Sequence, residues 1–310
     1  MMDAAAIDQI RLNFNPQTIA ALNFVIGLMM LGVSLDLRVA DFKRIFISPK
    51  APAIGLGSQF ILLPAFTFLL TMIIRPSPSM AMGMILISAC PGGNLSNIMT
   101  YLARGNTAVS ISMTAISTAA AIFMTPLNLS IWGSLNPHTA PILRAVSLNP
   151  ADIFKTIFII LVIPMAMGMT LAHFFPKPAG KIQKPFRIFS FVVFIAVVAL
   201  ALKANWQIFL QVIGMVIFVV FLHNTLAFSL GYCAGRLAGL PPQDVRAVSI
   251  EVGTQNAALG LVLILNFFAG LGGMAIIAAW WGIWHIIFGL CVSTWWSLKQ
   301  PINTVEVSSE

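Results

Sequence analysis

Residues 251–256 read Glu251-Val-Gly-Thr-Gln-Asn256. They lie inside an apolar stretch, about 243–268, that has the length of a membrane crossing and resumes as Ala257-Ala-Leu-Gly-Leu-Val-Leu. Five of the six residues are polar or glycine. A continuous helix gains nothing from that composition. A helix broken at Gly253 does, because its freed carbonyls and side-chain oxygens then face a cavity instead of lipid. A second interruption, Pro91-Gly-Gly-Asn-Leu-Ser-Asn97, falls inside another apolar span. Pro91 removes a helical N–H, and Gly92-Gly93 make unwinding cheap. Taken singly, either stretch also reads as a simple kink.

The rest of the chain fits this reading. Of its 310 residues, 59% are hydrophobic and 8% charged, and the mean hydropathy is +0.94. A soluble domain carries roughly 25% charged residues. The chain is therefore an all-α polytopic membrane protein, and a soluble, disordered or nucleic-acid-binding protein is excluded despite the net charge of +8. Cys90, Cys233 and Cys291 have no metal-ligand spacing. No basic segment precedes an apolar one at the N-terminus, so the first span is expected to act as the targeting signal.

Nine spans are expected, at about 17–35, 51–74, 79–103, 107–132, 152–174, 188–203, 206–235, 243–268 and 272–298. Short connections rich in Pro and Gly join them, among them Pro176-Lys-Pro-Ala-Gly. Residues 38–50 read equally as an interfacial amphipathic helix or a basic loop. The basic residues set the orientation. An external N-terminus places twelve of the 17 Lys and Arg inside and five outside, so the N-terminus is expected outside and the C-terminus in the cytoplasm. The tryptophans Trp280, Trp281, Trp284, Trp295 and Trp296 are expected to form an interfacial belt.

The two breaks occupy corresponding places. Spans 1–4 carry one in their third member, spans 6–9 carry the other in theirs, and span 5 is a spacer. This predicts an inverted repeat (4 + spacer + 4) with two crossing discontinuous helices, and paired interruptions of this kind point to a transporter's binding site. Of the nine acids, only Glu251 falls well inside a span, with no Lys or Arg expected at its depth. A charge there costs at least about 2.5–3.5 kcal/mol on insertion scales. A bound cation, a bound proton or a hydrated cavity offsets that cost; a protonated structural glutamate is the plain alternative. Ser96, Asn97, Thr254, Gln255 and Asn256 supply oxygens nearby. Ser110 and Thr114 share one helical face in the next span, where they serve either as ordinary interhelical bonders or as partners of Asn97. Gln59 is open to the same two readings, and His285 reads as a substrate contact or a plain buried histidine.

Pro91 through Asn106, Glu251 through Asn256, Leu222-His-Asn224 and Trp284-His285 resemble the signature stretches of the bile acid:sodium symporter family. The resemblance covers roughly residues 17–298 and is of a bacterial member lacking the first of ten helices. It implies a single transporter unit over 1–310, with core helices at about 51–132 and 206–298 and panel helices at about 17–35 and 152–203. It also implies two Na⁺ ions. The first would be held by Ser96, Asn97, Ser110, Thr114 and Glu251, the second by Gln59, Glu251, Val252, Thr254 and Gln255. An organic anion, bile-acid-like or a smaller carboxylate, would meet Asn94, Asn256 and His285. Thr254 stands where bacterial relatives commonly have methionine, and Ile286 where some have asparagine.

The function expected is a sodium-coupled symporter in the bacterial inner (plasma) membrane. Two Na⁺ with ionised Glu251 leave +1, which one anionic substrate cancels. The alternative is a proton-coupled transporter or cation/proton exchanger with Glu251 as carrier. An enzyme is not expected, since no paired acids or nucleophile–base motif is present. Membrane lipid is the surrounding partner, and nothing points to an obligate protein partner.

Overall fold

The computed structural model describes residues 8, 16–35, 37–146, 149–204 and 206–299. Every regular element among them is helical: α1 (Pro16–Ser34), α2 (Val39–Ile47), α3 (Lys50–Ile74), α4 (Pro78–Ala89), α5 (Leu95–Leu102), α6 (Thr107–Leu135) and α7 (Ala140–Val146) come first. A rod α8 follows, built of Pro150–Ile157, Phe158–Val162 and Ile163–Phe174. The chain closes with α9 (Pro176–Ala204), α10 (Trp206–Leu237), α11 (Pro242–Gly253), α12 (Ala257–Phe267) and α13 (Gly272–Leu298). Five of the helices are long and apolar enough to cross a membrane, and α4 and α12 are shorter apolar pieces. The protein is thus an integral membrane protein. Asp36 lies outside the described residues.

Two irregularities have a visible cause. α3 and α8 each contain a π turn, Ser58–Leu62 and Phe158–Val162, just ahead of Pro64 and Pro164. A proline ring clashes with the carbonyl four residues back, here Phe60 and Ile160, and the widened π turn relieves that clash. Short connections are closed by left-handed residues, with φ of 45° at Arg75 and 54° at Arg104.

The breaks expected from sequence are present. α4 and α5 are separated by residues 90–94, and α11 and α12 by 254–256. The two unwound segments pair with each other. Gly92 and Gln255 form an antiparallel bridge. Gly93 N–H donates to the Thr254 carbonyl at 2.7 Å and Asn256 N–H to the Pro91 carbonyl at 2.8 Å. Backbone groups that a continuous helix would satisfy internally are thus satisfied across the junction. A second tie joins the far ends of α5 and α11. There Asn106 Nδ2 donates to Asp244 Oδ1 (2.7 Å) and Arg246 Nη1 to the Ala103 carbonyl (2.7 Å).

Around this junction α10 packs along α11, α13 along α4 and α12, and α6 against α4, α5 and α11. α1 packs instead on α9 and the Ile163–Phe174 part of α8, and it reaches the junction helices through α12.

Two readings of the sequence are corrected. Pro176-Lys-Pro-Ala-Gly is the first turn of α9 rather than a loop; prolines cost little there because the first N–H groups of a helix have no intrahelical partner. Trp281 belongs to no belt: it is fully buried, with its ring centroid 4.5 Å from that of His223. Residues 38–50, left open between helix and loop, contain the helix α2.

Candidate functional site

Glu251 sits in the last turn of α11 and is inaccessible to solvent. Its carboxylate collects three hydroxyls from two other elements. Ser96 Oγ, in the first turn of α5, donates to Oε2 at 2.5 Å. Ser110 Oγ and Thr114 Oγ1 of α6 donate to Oε2 at 3.0 Å and Oε1 at 2.7 Å. None of these partners carries a positive charge. Ser110 Oγ is also 2.8 Å from Asn97 Oδ1, and Thr114 Oγ1 is 3.4 Å from the same atom. Three hydroxyl protons therefore serve two carboxylate oxygens and an amide oxygen, in a cluster otherwise made of oxygen lone pairs. All five residues assigned to the first cation group are brought together.

Glycine at 92 is required by this cluster. A Cβ built there would lie 2.2 Å from Glu251 Oε1, well inside van der Waals contact. Gly92 N–H donates to Ser117 Oγ at 3.3 Å, so Ser117 helps hold the loop against the carboxylate. Sequence reasoning missed Ser117; its only signal is that it lies three residues after Thr114, near one face of the same helix.

The second group assembles around Gln59, which sits in the π turn of α3 and is fully buried. Its Nε2 donates to Gln255 Oε1 at 3.4 Å, and Gln255 Nε2 donates to the Val252 carbonyl at 2.7 Å. Gln59 Oε1 has no hydrogen-bond partner among the described residues. An unsatisfied buried acceptor costs roughly 1–3 kcal/mol, and a cation is one way to satisfy it. Thr254 is oriented differently: its hydroxyl points to Met99 Sδ (3.9 Å) and its carbonyl accepts from Gly93 N–H.

The three residues assigned to substrate are less alike. Asn94 is half-buried at the head of α5 and its side chain makes no capping bond, so its amide is uncommitted to the helix. Asn256 is committed: its Oδ1 caps α12 by accepting from Leu259 N–H (3.0 Å), and its Nδ2 lies 3.8 Å from Met30 Sδ. His285 is buried on α13. His223, part of the Leu222-His-Asn224 stretch, bonds Thr67 Oγ1 at 2.8 Å through Nε2, and Asn224 Nδ2 donates to the Gly253 carbonyl at 2.9 Å. Asn224 thus steadies the second break from outside, a role visible only once α10 is packed on α11.

Two interrupted helices paired inside a membrane, with a carboxylate and a bed of neutral oxygens where they meet, are the architecture of a secondary transporter. Comparison with known proteins makes this specific. Residues 23–212 match the model of the Sodium Bile acid symporter family, and the chain belongs to that family. It is 32% identical over 88% of its length to a Bacillus subtilis protein named as an uncharacterized sodium-dependent transporter, YocS, and covers 82% of it. It is 34% identical over 89% of its length to the probable sodium/metabolite cotransporter BASS1 of rice chloroplasts, covering 66% of that protein. The human ileal sodium/bile acid cotransporter is 31% identical over 77% of the chain, which covers 67% of it.

Proposed function

We propose that this protein is a symporter in which Na⁺ moving down its gradient drives import of an organic anion by alternating access. The observation that carries the reading is the Glu251 carboxylate, buried among Ser96, Ser110, Thr114 and, through them, Asn97, with no cationic partner in the set. Such an oxygen-rich, nitrogen-poor set suits a hard monovalent cation. The buried, unpartnered Gln59 Oε1 beside Gln255 and Val252 supports a second Na⁺, with Glu251 shared between the two. In this reading Thr254 contributes its carbonyl alone.

In this reading the substrate anion sits at the N-terminal ends of α5 and α12, where the helix dipoles favour negative charge. Asn94 is the side chain best disposed toward it, with His285 as a second contact. The architecture is read as nine spans in an inverted repeat, with α1, α8 and α9 as panel and the remaining spans as core. The side on which α1 begins is external.

The three hydroxyls would equally solvate a protonated carboxyl, so proton coupling through Glu251 is the competing reading. Uptake into proteoliposomes separates the two, with imposed Na⁺, pH and voltage gradients and a bile-acid anion or a small carboxylate as probe. The symport reading expects Na⁺-dependent, voltage-accelerated uptake, since two Na⁺ with one monovalent anion move a net +1 and each charge gains about 2.3 kcal/mol per 100 mV. Uptake that follows pH and ignores Na⁺ would replace it with the proton reading. Asn97→Ala should weaken both ions, with coupling of about 1–3 kcal/mol between the linked sites.

A further inference from the structure

One contact joins α1 to the far end of α12. Asn23 Nδ2 donates to Asn266 Oδ1 at 3.1 Å, and Asn266 Nδ2 donates back to Asn23 Oδ1 at 3.0 Å. The two residues are 243 positions apart and each amide serves the other as both donor and acceptor. Asn266 is oriented in advance, because its Nδ2 also donates to the Val262 carbonyl of its own helix at 2.8 Å. Between this pair and the break lies an apolar layer of Ile26 from α1, Ile160 from α8, and Ala258 and Val262 from α12, all buried. Deeper still, Met30 of α1 meets Asn256 at the head of α12. The side of the junction on which α1 begins is thus closed by an amide pair over an apolar plug.

On the opposite side the far ends of α5 and α11 are tied through Asn106–Asp244 and Arg246–Ala103, and α5 itself is less covered among the described residues. α5, which runs from the first break the other way, exposes Ile98, Tyr101 and Leu102 at 44%, 73% and 43%. Asn94 and Asn97 are half-buried there, whereas every residue of α12 from Ala257 to Leu265 is buried.

We propose that the Asn23–Asn266 pair is the latch of the gate on the side where α1 begins, closed in this conformation, and that it must part for the junction to open on that side. The inference rests on the alternating-access reading above. Its chemistry suits a reversible closure. The pair lies at the rim, so water replaces both hydrogen bonds when it opens, and the net cost is that of exchanging two amide bonds rather than of stranding two buried polar groups. The apolar plug beneath excludes water while the latch holds. A charged pair would bind more rigidly at low salt and an apolar pair would give no orientation; two amides give geometry with little depth of energy.

The test uses the full-length protein with Cys90, Cys233 and Cys291 replaced by alanine and a reporter Ala258→Cys in the plug. A membrane-impermeant maleimide is applied from the α1-start side. Asn23→Ala, Asn266→Ala and the double variant should each label about three- to tenfold faster than the latched protein, and the double no faster than the singles, since either change removes the whole pair. Separately, Asn23→Cys/Asn266→Cys without the reporter should be bridged by a short bis-methanethiosulfonate reagent. The bridged protein should keep any thermal stabilisation by NaCl over KCl while losing transport in the uptake assay. Unchanged labelling rates in all three alanine variants, or failure of the two cysteines to bridge, would overturn the latch. Absence of NaCl-specific stabilisation in the unmodified protein would instead count against the sodium reading, and leaves the labelling result standing on its own.

Discussion

The half-helices that follow the two breaks, α5 and α12, are counterparts in the chain and opposites in their surroundings. α12 is buried along its whole first nine residues, covered by α1, α4 and α13. α5 is partly bare, with Tyr101 73% exposed. Their chemistry is divided as well. The first break brings neutral donors and acceptors, Ser96 and Asn97; the second brings the acid, Glu251. Two segments of similar design thus do different jobs at one moment. One is enclosed by the apolar layer; the other keeps Ser96 and Thr100 buried, leaves Asn94 and Asn97 half-buried, and exposes Ile98, Tyr101 and Leu102. In a protein built from inverted repeats, exchanging the conformations of the halves yields the opposite-facing state. If the proposed inverted repeat and alternating access hold, the difference between α5 and α12 would record which way the transporter faces, with the closed side at the start of α1.

The substitution that should damage this arrangement most is Gly92→Ala. The added methyl would lie 2.2 Å from Glu251 Oε1, and the carboxylate is held from the other side by Ser110 and Thr114. Either the loop or the acid must move. The expected outcome is a destabilisation of about 1–3 kcal/mol together with loss of Na⁺ response, read by thermal unfolding in NaCl and KCl. A variant with normal Na⁺ response would show that the first break does not press on the acid, and the functional pairing of the two breaks would fail.

Gln59→Met sharpens the division of roles between the groups. It removes the unpartnered Oε1 and leaves similar volume. In Na⁺-free buffer the protein should be as stable or up to about 1 kcal/mol more stable, because a stranded acceptor is gone. In Na⁺ the apparent Hill slope should fall from near two toward one. A slope unchanged from that of the parent would remove Gln59 from the second group. The smallest effect is expected at Thr254, whose hydroxyl faces Met99 Sδ rather than the junction. Thr254→Val should leave Na⁺ affinity within about threefold, a change of less than 1 kcal/mol. A larger loss would mean that the hydroxyl turns inward when an ion binds.

Much of this was legible in the chain itself. A glutamate between Gly253 and a run of apolar residues, and a Pro-Gly-Gly in another span, violate the rule that lipid-embedded backbone must satisfy itself, so the breaks announce themselves. The hydroxyls at 110 and 114 follow from helical spacing. Other features leave no local trace. Trp281 and Trp295 look alike in sequence, yet one is buried and the other 52% exposed, because lipid and protein interior are both apolar and hydropathy does not separate them. Pro64 and Pro164 are visible as prolines, whereas their relief by π turns depends on the carbonyls four residues back. Asn256 reads as a free ligand until its Oδ1 is seen capping α12. Asn23 and Asn266 are isolated polar residues in two apolar spans until packing sets them face to face.

The central claim is that Glu251, shared between the two breaks, is where Na⁺ is recognised. The most direct test is the thermal stability of purified protein titrated with NaCl at constant ionic strength, balanced with KCl, for the parent chain and Glu251→Gln. Binding to the folded state alone raises stability as RT ln(1 + [L]/Kd), about 2.7 kcal/mol at a hundredfold excess over Kd. The parent should rise in Na⁺ and not in K⁺, and Glu251→Gln, which keeps the shape and loses the charge, should show a flat line. A Na⁺-specific rise of equal size in Glu251→Gln would contradict the account.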